Sequence, residues 1–338
     1  MWYDYIVNDV YKEVGCMESA IHVENLVKKY GNFEAVKGIS FDVKRGELFA
    51  FLGPNGAGKS TTINILVTVL KPTAGTVYVA GHDVVREKLQ VRQSIGVVFQ
   101  DPSLDSRLTV EDNLKIHGYV YGIYGKELQK RMDEVLDIVE LKGVKKRLVK
   151  HLSGGMRRRL EIARGLMHTP QVLFLDEPTT GLDPQNRAKI WDYVENIRST
   201  GTTVFFSTHY MDEAEYADRV AIMDHGKILA LDTPEALKKG IGGNMIVIGV
   251  KEGKEDCVVE KLKQMGFTPH KANDGKIWIP VSDTASTIPR LFEGLGDVIT
   301  EVDIRIPTLN DVFLTLTGRE LRDNESSPEK FVPMRFRR

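Results

Sequence analysis

The chain has 338 residues, 42% of them hydrophobic, which is enough for one large domain and a smaller one. A formal net charge of −1 argues against a broad nucleic-acid-binding surface. No apolar run approaches the roughly 18 residues of a membrane-spanning helix. Two cysteines, Cys16 and Cys257, give neither a disulfide framework nor metal-ligand spacing, so a reducing, cytosolic compartment is expected.

The first stretch, MWYDYIVNDVYKEVGC, has aromatic residues but no basic cluster and no small-residue cleavage site, and makes a poor signal peptide. Met17 directly precedes ESAIHVENLVKKYG, where strand alternation begins. Residues 1–19 are therefore expected to be an extension, with translation starting at either Met1 or Met17. Residues 20–50 predict strands with turns at Tyr30-Gly31-Asn32 and Lys44-Arg45-Gly46. The apolar run LFAFL then enters the loop GPNGAGKST, which leads into a helix. A short strand is predicted at 75–81 and another at IGVVFQ (95–100). Residues 109–150 carry helical spacing and many charges, which predicts a compact helical insert over about 105–165. VLFLDEP (172–178) and TTVFFSTH (202–209) are apolar and flanked by helices, the pattern of buried parallel strands. An α/β domain with an antiparallel N-terminal portion is expected over 20–235. From 244 a strand–helix–strand–helix–strand–helix pattern restarts, predicting a small α+β domain over 244–321 of the ferredoxin-like kind. Residues 322–338 end in RFRR and are expected to form a disordered basic tail.

Gly53, Gly56, Gly58, Lys59 and Ser60 fit G-x-x-x-x-G-K-[ST], a phosphate-binding loop. Glycines let the backbone turn its N–H groups around an anion, and the helix starting near Lys59 adds its positive dipole end. The ammonium of Lys59 is suited to the β- and γ-phosphates, and the Ser60 hydroxyl to Mg²⁺. Pro54, Asn55, Ala57 and Thr61 complete the expected nucleotide contacts. Asp176 ends an apolar strand where ligands sit in open α/β sheets, and its carboxylate is expected to hold Mg²⁺. Glu177 follows as the candidate general base for an attacking water. His209 ends the next apolar strand and can bond the γ-phosphate while orienting Glu177. Gln100 ends IGVVFQ and can ligate Mg²⁺. Ser153, before Gly154 and Gly155, predicts a helix N-cap and a second anion-binding helix start. One nucleotide needs one cradle, so the second is expected to serve the nucleotide of another subunit.

These motifs, in the order GPNGAGKST (53–61), Gln100, LSGGM (152–156), LFLDEP (173–178), GLDP (181–184) and His209, resemble the ATP-binding subunits of ABC transporters over residues 20–235. The resemblance implies a P-loop NTPase of ABC ATPase type that hydrolyses ATP with Mg²⁺. It also implies a head-to-tail homodimer sandwiching two ATP molecules, with Ser153, Gly154 and Gly155 on the partner's γ-phosphate. Asp183 would link the two sites, and Tyr30 would stack on adenine. Met156, Gly181 and the ending PTLNDVFLTLTGREL resemble the daunorubicin-resistance type, which exports drugs, antibiotics or polysaccharides. With no spanning helix of its own, such a chain would work on the inner face of the cell membrane through a separate permease. The expected dock is the stretch 101–108 (DPSLDSRL) beside the helical insert. The alternative is a soluble ABC ATPase acting on ribosomes, chromosomes or DNA. Against it stand the single ATPase unit and the short segment, about fifty residues, between Gln100 and Ser153.

Overall fold

A computed structural model describes residues 19–318 except 242, 243, 273, 274, 282 and 306. The expected N-terminal extension and basic tail, and Cys16, lie outside the described residues. Cys257 is free and exposed.

β1 (Ser19–Tyr30) and β2 (Phe33–Lys44) form an antiparallel hairpin closed by a two-residue turn, with Gly31 at φ 57°. β3 (Leu48–Leu52) runs through the glycine loop into α1 (Lys59–Leu66). β4 (Ala74–Val79) and β5 (His82–Asp83) return to the hairpin, giving a four-stranded antiparallel sheet of order β2-β1-β4-β5. α2 (Lys88–Ser94) leads into β6 (Ile95–Val98). The expected insert follows as α3 (Val110–Val120), α4 (Gly125–Ile138) and α5 (Gly154–Gly165). β7 (Val172–Asp176), α6 (Pro184–Ser199), β8 (Thr203–Thr208), α7 (Met211–Ala214), β9 (Arg219–Asp224), β10 (Lys227–Asp232) and α8 (Pro234–Gly240) complete the unit. The second sheet has the order β10-β9-β3-β8-β7-β6 and is parallel except at its β9–β10 edge pair.

Both faces of this sheet are covered, which is why its central strands are apolar throughout. Alternation divides their side chains between two cores. Phe49, Phe51, Phe174 and Phe205 meet the antiparallel sheet, with Phe51 and Phe205 ring centroids 4.9 Å apart. Leu48, Leu52, Leu173, Leu175 and Phe206 meet the helices, including Leu114, Met132 and Leu160 of the insert. The register pairs Leu52 with Thr208, Asp176 with Ser207, and Val98 with Leu175. The C-terminal ends of β3, β6, β7 and β8 therefore lie at one level, the edge where α/β sheets bind ligands.

The last elements are β11 (Asn244–Val250), α9 (Glu255–Gln264), β12 (His270–Lys271), β13 (Ile277–Val281), α10 (Thr284–Leu295), β14 (Ile299–Arg305) and α11 (Leu309–Thr317). The four strands form an antiparallel sheet of order β12-β13-β11-β14, and the βαββαβ sequence is that of a ferredoxin-like fold. Its core joins Ile246, Ile248, Ile277 and Ile279 to Leu262 and Leu291. The expectation placed everything over 244–321 in this small unit. The last helix differs. Thr308 and Asp311 form a capping box at its start, and Leu309, Val312 and Phe313 join the helix-side core of the large unit, together with Ala214 and Leu237. An amphipathic pattern fixes a buried face but not which core receives it.

Candidate functional site

The glycine loop is shaped by what surrounds it. A Cβ on Gly53 would stand 2.1 Å from the Met223 carbonyl oxygen of β9. Gly58 caps α1 at φ 106°, and a Cβ there would stand 2.7 Å from the Ala35 carbonyl oxygen. Gly56 lies at φ 82°, a left-handed conformation that glycine adopts at little cost. No side chain caps the start of α1, so its first-turn N–H groups face the loop without a side-chain acceptor. Lys59 is 4% exposed. Its Nζ donates to the carbonyls of Gly53 (2.7 Å) and Pro54 (3.2 Å) and lies 3.5 Å from Glu177 Oε1. Burial pulls the Lys59 ammonium below the usual lysine range, and the Glu177 charge opposes that shift.

Two carboxylates face the loop. Asp176 Oδ1 accepts from Ser207 Oγ (2.5 Å) and Ser60 Oγ (3.2 Å). Burial pushes the Asp176 carboxyl up, the two hydroxyl bonds pull it down, and the neighbouring Glu177 charge pushes it up again, leaving it raised. Glu177 has φ 45°, a left-handed backbone that costs a non-glycine residue about 1–2 kcal/mol. Its N–H donates to Ser207 Oγ (3.1 Å). Its Oε2 accepts from Gln100 Nε2 and Thr180 Oγ1, both at 3.2 Å, and lies 3.5 Å from His209 Nδ1. Burial alone would raise the Glu177 carboxyl, but His209, Lys59 and Thr180 together hold it below the usual range. Oppositely shifted neighbours give one residue suited to staying ionised as a base.

A cleft of about 480 Å³ opens over this cluster. Of the expected site residues, Tyr30, Pro54, Asn55, Gly56, Gly58, Lys59, Ser60, Thr61, Gln100 and Glu177 line it. Ala57 is buried beneath the loop. The expected nucleotide-side residues are thus together, with Asp176 and His209 in contact with the lining. The others stand elsewhere. Ser153 caps α5, accepting from the Met156 N–H at 3.2 Å. Asp183 caps α6, accepting from the Asn186 N–H (3.0 Å) and side chain (2.6 Å). Gly155 packs so closely on Asn186 that a Cβ would stand 2.7 Å from its Oδ1. Neither cap nor Gly154 lines the cleft.

Four participants escaped the sequence reading. Phe33 is 65% exposed at the cleft mouth with Ala35. The two-residue turn after Tyr30, which sets Phe33 opposite it, was the available signal. Ser207 binds both Asp176 and the Glu177 N–H. Its signal was a hydroxyl one residue from the end of an apolar strand. Thr180 had no local signal.

Fold and site define a P-loop ATPase whose carboxylates stand at the strand ends. The ABC transporter family model matches residues 36–180. The daunorubicin resistance ATP-binding protein DrrA3 of Streptomyces coeruleorubidus is 40% identical over 315 residues, covering 92% of this chain and 99% of that protein. The linearmycin resistance ATP-binding protein LnrL of Bacillus subtilis is 37% identical over 311 residues, covering 90% and 100%. Among solved structures, cbiO1 of Clostridium perfringens, part of the ABC transporter complex cbiONQ, superposes with a TM-score of 0.61 at 31% identity. It covers 74% of this chain and 98% of its own. A dimeric ATP-binding cassette in a post-hydrolysis state, bound to ADP and Pi, gives 0.58 at 30% identity over 63% and 98%. The chain belongs to the ATP-binding subunits of ABC transporters, which hydrolyse ATP.

Proposed function

We propose that this chain powers an exporter of drug-like or antibiotic-like compounds, binding ATP in the cleft and hydrolysing it at Glu177. Relatives named for daunorubicin, doxorubicin and linearmycin resistance support export. They give no support to a soluble ATPase of ribosomes, chromosomes or DNA. The carrying observation is the convergence of Lys59, Gln100 and His209 on the buried carboxylate of Glu177. A base so held is ionised, aimed into the cleft, and beside a cation suited to phosphate oxygens.

The oxygen donors Ser60, Gln100 and Asp176 have the hard chemistry that suits Mg²⁺. When bound, that ion supplies neutralisation of phosphate charge. The chain's own residues do the rest. Unpaired first-turn amides of α1 and the Lys59 ammonium hold the phosphates, while Tyr30 at the cleft mouth presents a ring, 47% exposed, for the adenine. Glu177 takes the proton of the attacking water, and His209 orients the carboxylate. Ser153, Gly154, Gly155 and Asp183 lie off this cleft, which supports their acting on the nucleotide of a second copy in a head-to-tail dimer. Among the described residues no helix is long and apolar enough to cross a membrane. The work is therefore delivered to a separate permease at the inner face of the membrane. The stretch 101–108 is the proposed dock. The insert also exposes Ile116, Tyr119, Val120 and Tyr124, with the Tyr119 and Tyr124 rings stacked 5.6 Å apart.

Glu177→Gln tests the site. Turnover is expected to fall about 10²–10⁴-fold, the usual worth of a general base, while equilibrium binding of ATP is retained. Unchanged turnover would remove Glu177 as the base.

A further inference from the structure

Helix α5 carries a buried guanidinium that the chemistry above does not use. Arg158 is 8% exposed and lies on the helix that Ser153 caps. Its Nε donates to the Pro178 carbonyl (2.7 Å), and its Nη2 to those of Asp176 (3.0 Å) and Glu177 (3.1 Å). Its Nη1 donates to the Phe99 carbonyl (2.6 Å) and to Glu161 Oε2 (2.9 Å). Arginine has five N–H donors, and here five acceptors meet them. Three consecutive carbonyls converge on one point around Glu177, the residue with the left-handed backbone. A planar fork can satisfy several acceptors at once; a lysine ammonium, with three donors on one atom, cannot match it. Glu161 balances the charge, and its Oε1 accepts the Ser103 N–H at 2.9 Å, just beyond Gln100. One ion pair thus ties α5 to the backbone on either side of the hydrolytic carboxylate and to the Gln100 loop.

We propose that Arg158 is a positioning residue for hydrolysis. It fixes the Asp176–Glu177–Pro178 backbone that aims the Glu177 side chain, and it joins that backbone rigidly to the helix whose start, Ser153, meets the partner's nucleotide. The second part rests on the head-to-tail reading above. Through Arg158, a phosphate seated at Ser153 in one site sets the geometry of Glu177 in the other.

Three readouts test this in the full-length protein with Mg²⁺ and ATP: affinity of a fluorescent ATP analogue, kcat, and the Hill coefficient for ATP. Arg158→Lys is expected to leave affinity within about twofold, to lower kcat about tenfold or more, and to bring the Hill coefficient to one. In a Glu177→Gln background the same substitution is expected to cost nothing further in single-turnover rate, because it acts through Glu177. Wild-type kcat in Arg158→Lys overturns the proposal, as does a full multiplicative loss on top of Glu177→Gln. Should Arg158→Lys fail to fold, Arg158→Met/Glu161→Leu removes both buried charges and takes the same readouts. A folded double variant with wild-type kcat overturns the proposal equally. Absence of turnover in the unaltered protein would remove the ATPase reading itself, and the proposal with it.

Discussion

The edge of the six-stranded sheet and the small C-terminal sheet treat charge in opposite ways. At the first, Lys59, Asp176 and Glu177 are all less than a tenth exposed. In the second, the core is aliphatic, and ion pairs such as Lys271–Asp256 and Lys276–Glu301 stand at the surface. Burying an ion is costly unless partners surround it, and each of the three buried groups has them. The two regions share the same packing physics. What separates them is that the sheet edge retains desolvated charge, the condition under which electrostatic groups act most strongly on a substrate. The small unit's core is closed by aliphatic packing, and α11, which follows it in the chain, packs into the large unit's core.

The contrast can be broken by substitutions on each side. Ser153→Arg, at the large unit's second helix start, is expected to abolish hydrolysis while the isolated monomer keeps its affinity for ATP. Equal loss of monomer binding would contradict a role across subunits. Ile248→Ala, in the small unit's core, is expected to lower stability by about 2–5 kcal/mol with kcat per folded molecule unchanged. Denaturant unfolding alongside a turnover assay checks this, and a changed kcat would give the small unit a part in chemistry.

A pH effect is expected from the insert. Burial first, then Arg164 and His168, push His117 down to about 4 from its ordinary 6.5. The His117 ring lies 5.0 Å from that of Tyr121. The folded protein keeps His117 neutral, while the unfolded chain takes up a proton as pH falls below 6.5. This contribution to stability is therefore whole above that pH and is lost down to about 4. The loss is on the order of 3 kcal/mol at most. Melting curves of the protein and of His117→Phe across this range check it; identical slopes would deny His117 the effect.

Much of this was legible because short motifs carry local geometry. Gly56, Gly58 and Lys59 specify a loop and a helix start between them, and LFLD specifies a strand buried on both faces with a carboxylate at its end. Alternation along β3 sends Leu48 and Phe49 to different cores, an assignment that the apolar run by itself leaves open. Arg158 was not legible. Four of its five acceptors are backbone carbonyls from two distant segments, which leave no mark on residue identity. The same holds for α2 and β12, too short for a period to show, and for the destination of α11.

The proposed head-to-tail dimer is tested most directly by mixing two inactive variants. Ser153→Arg keeps its own loop and Glu177, and Glu177→Gln keeps its own Ser153. A mixed dimer of the two therefore contains one intact composite site and one doubly altered site. The expected result is ATP hydrolysis by the mixture above that of either variant alone at the same total concentration, yet below half that of the unaltered dimer, because the subunit that supplies Glu177 no longer seats a phosphate at its own α5 start. Turnover no greater than the average of the two separate variants would contradict a site shared between subunits.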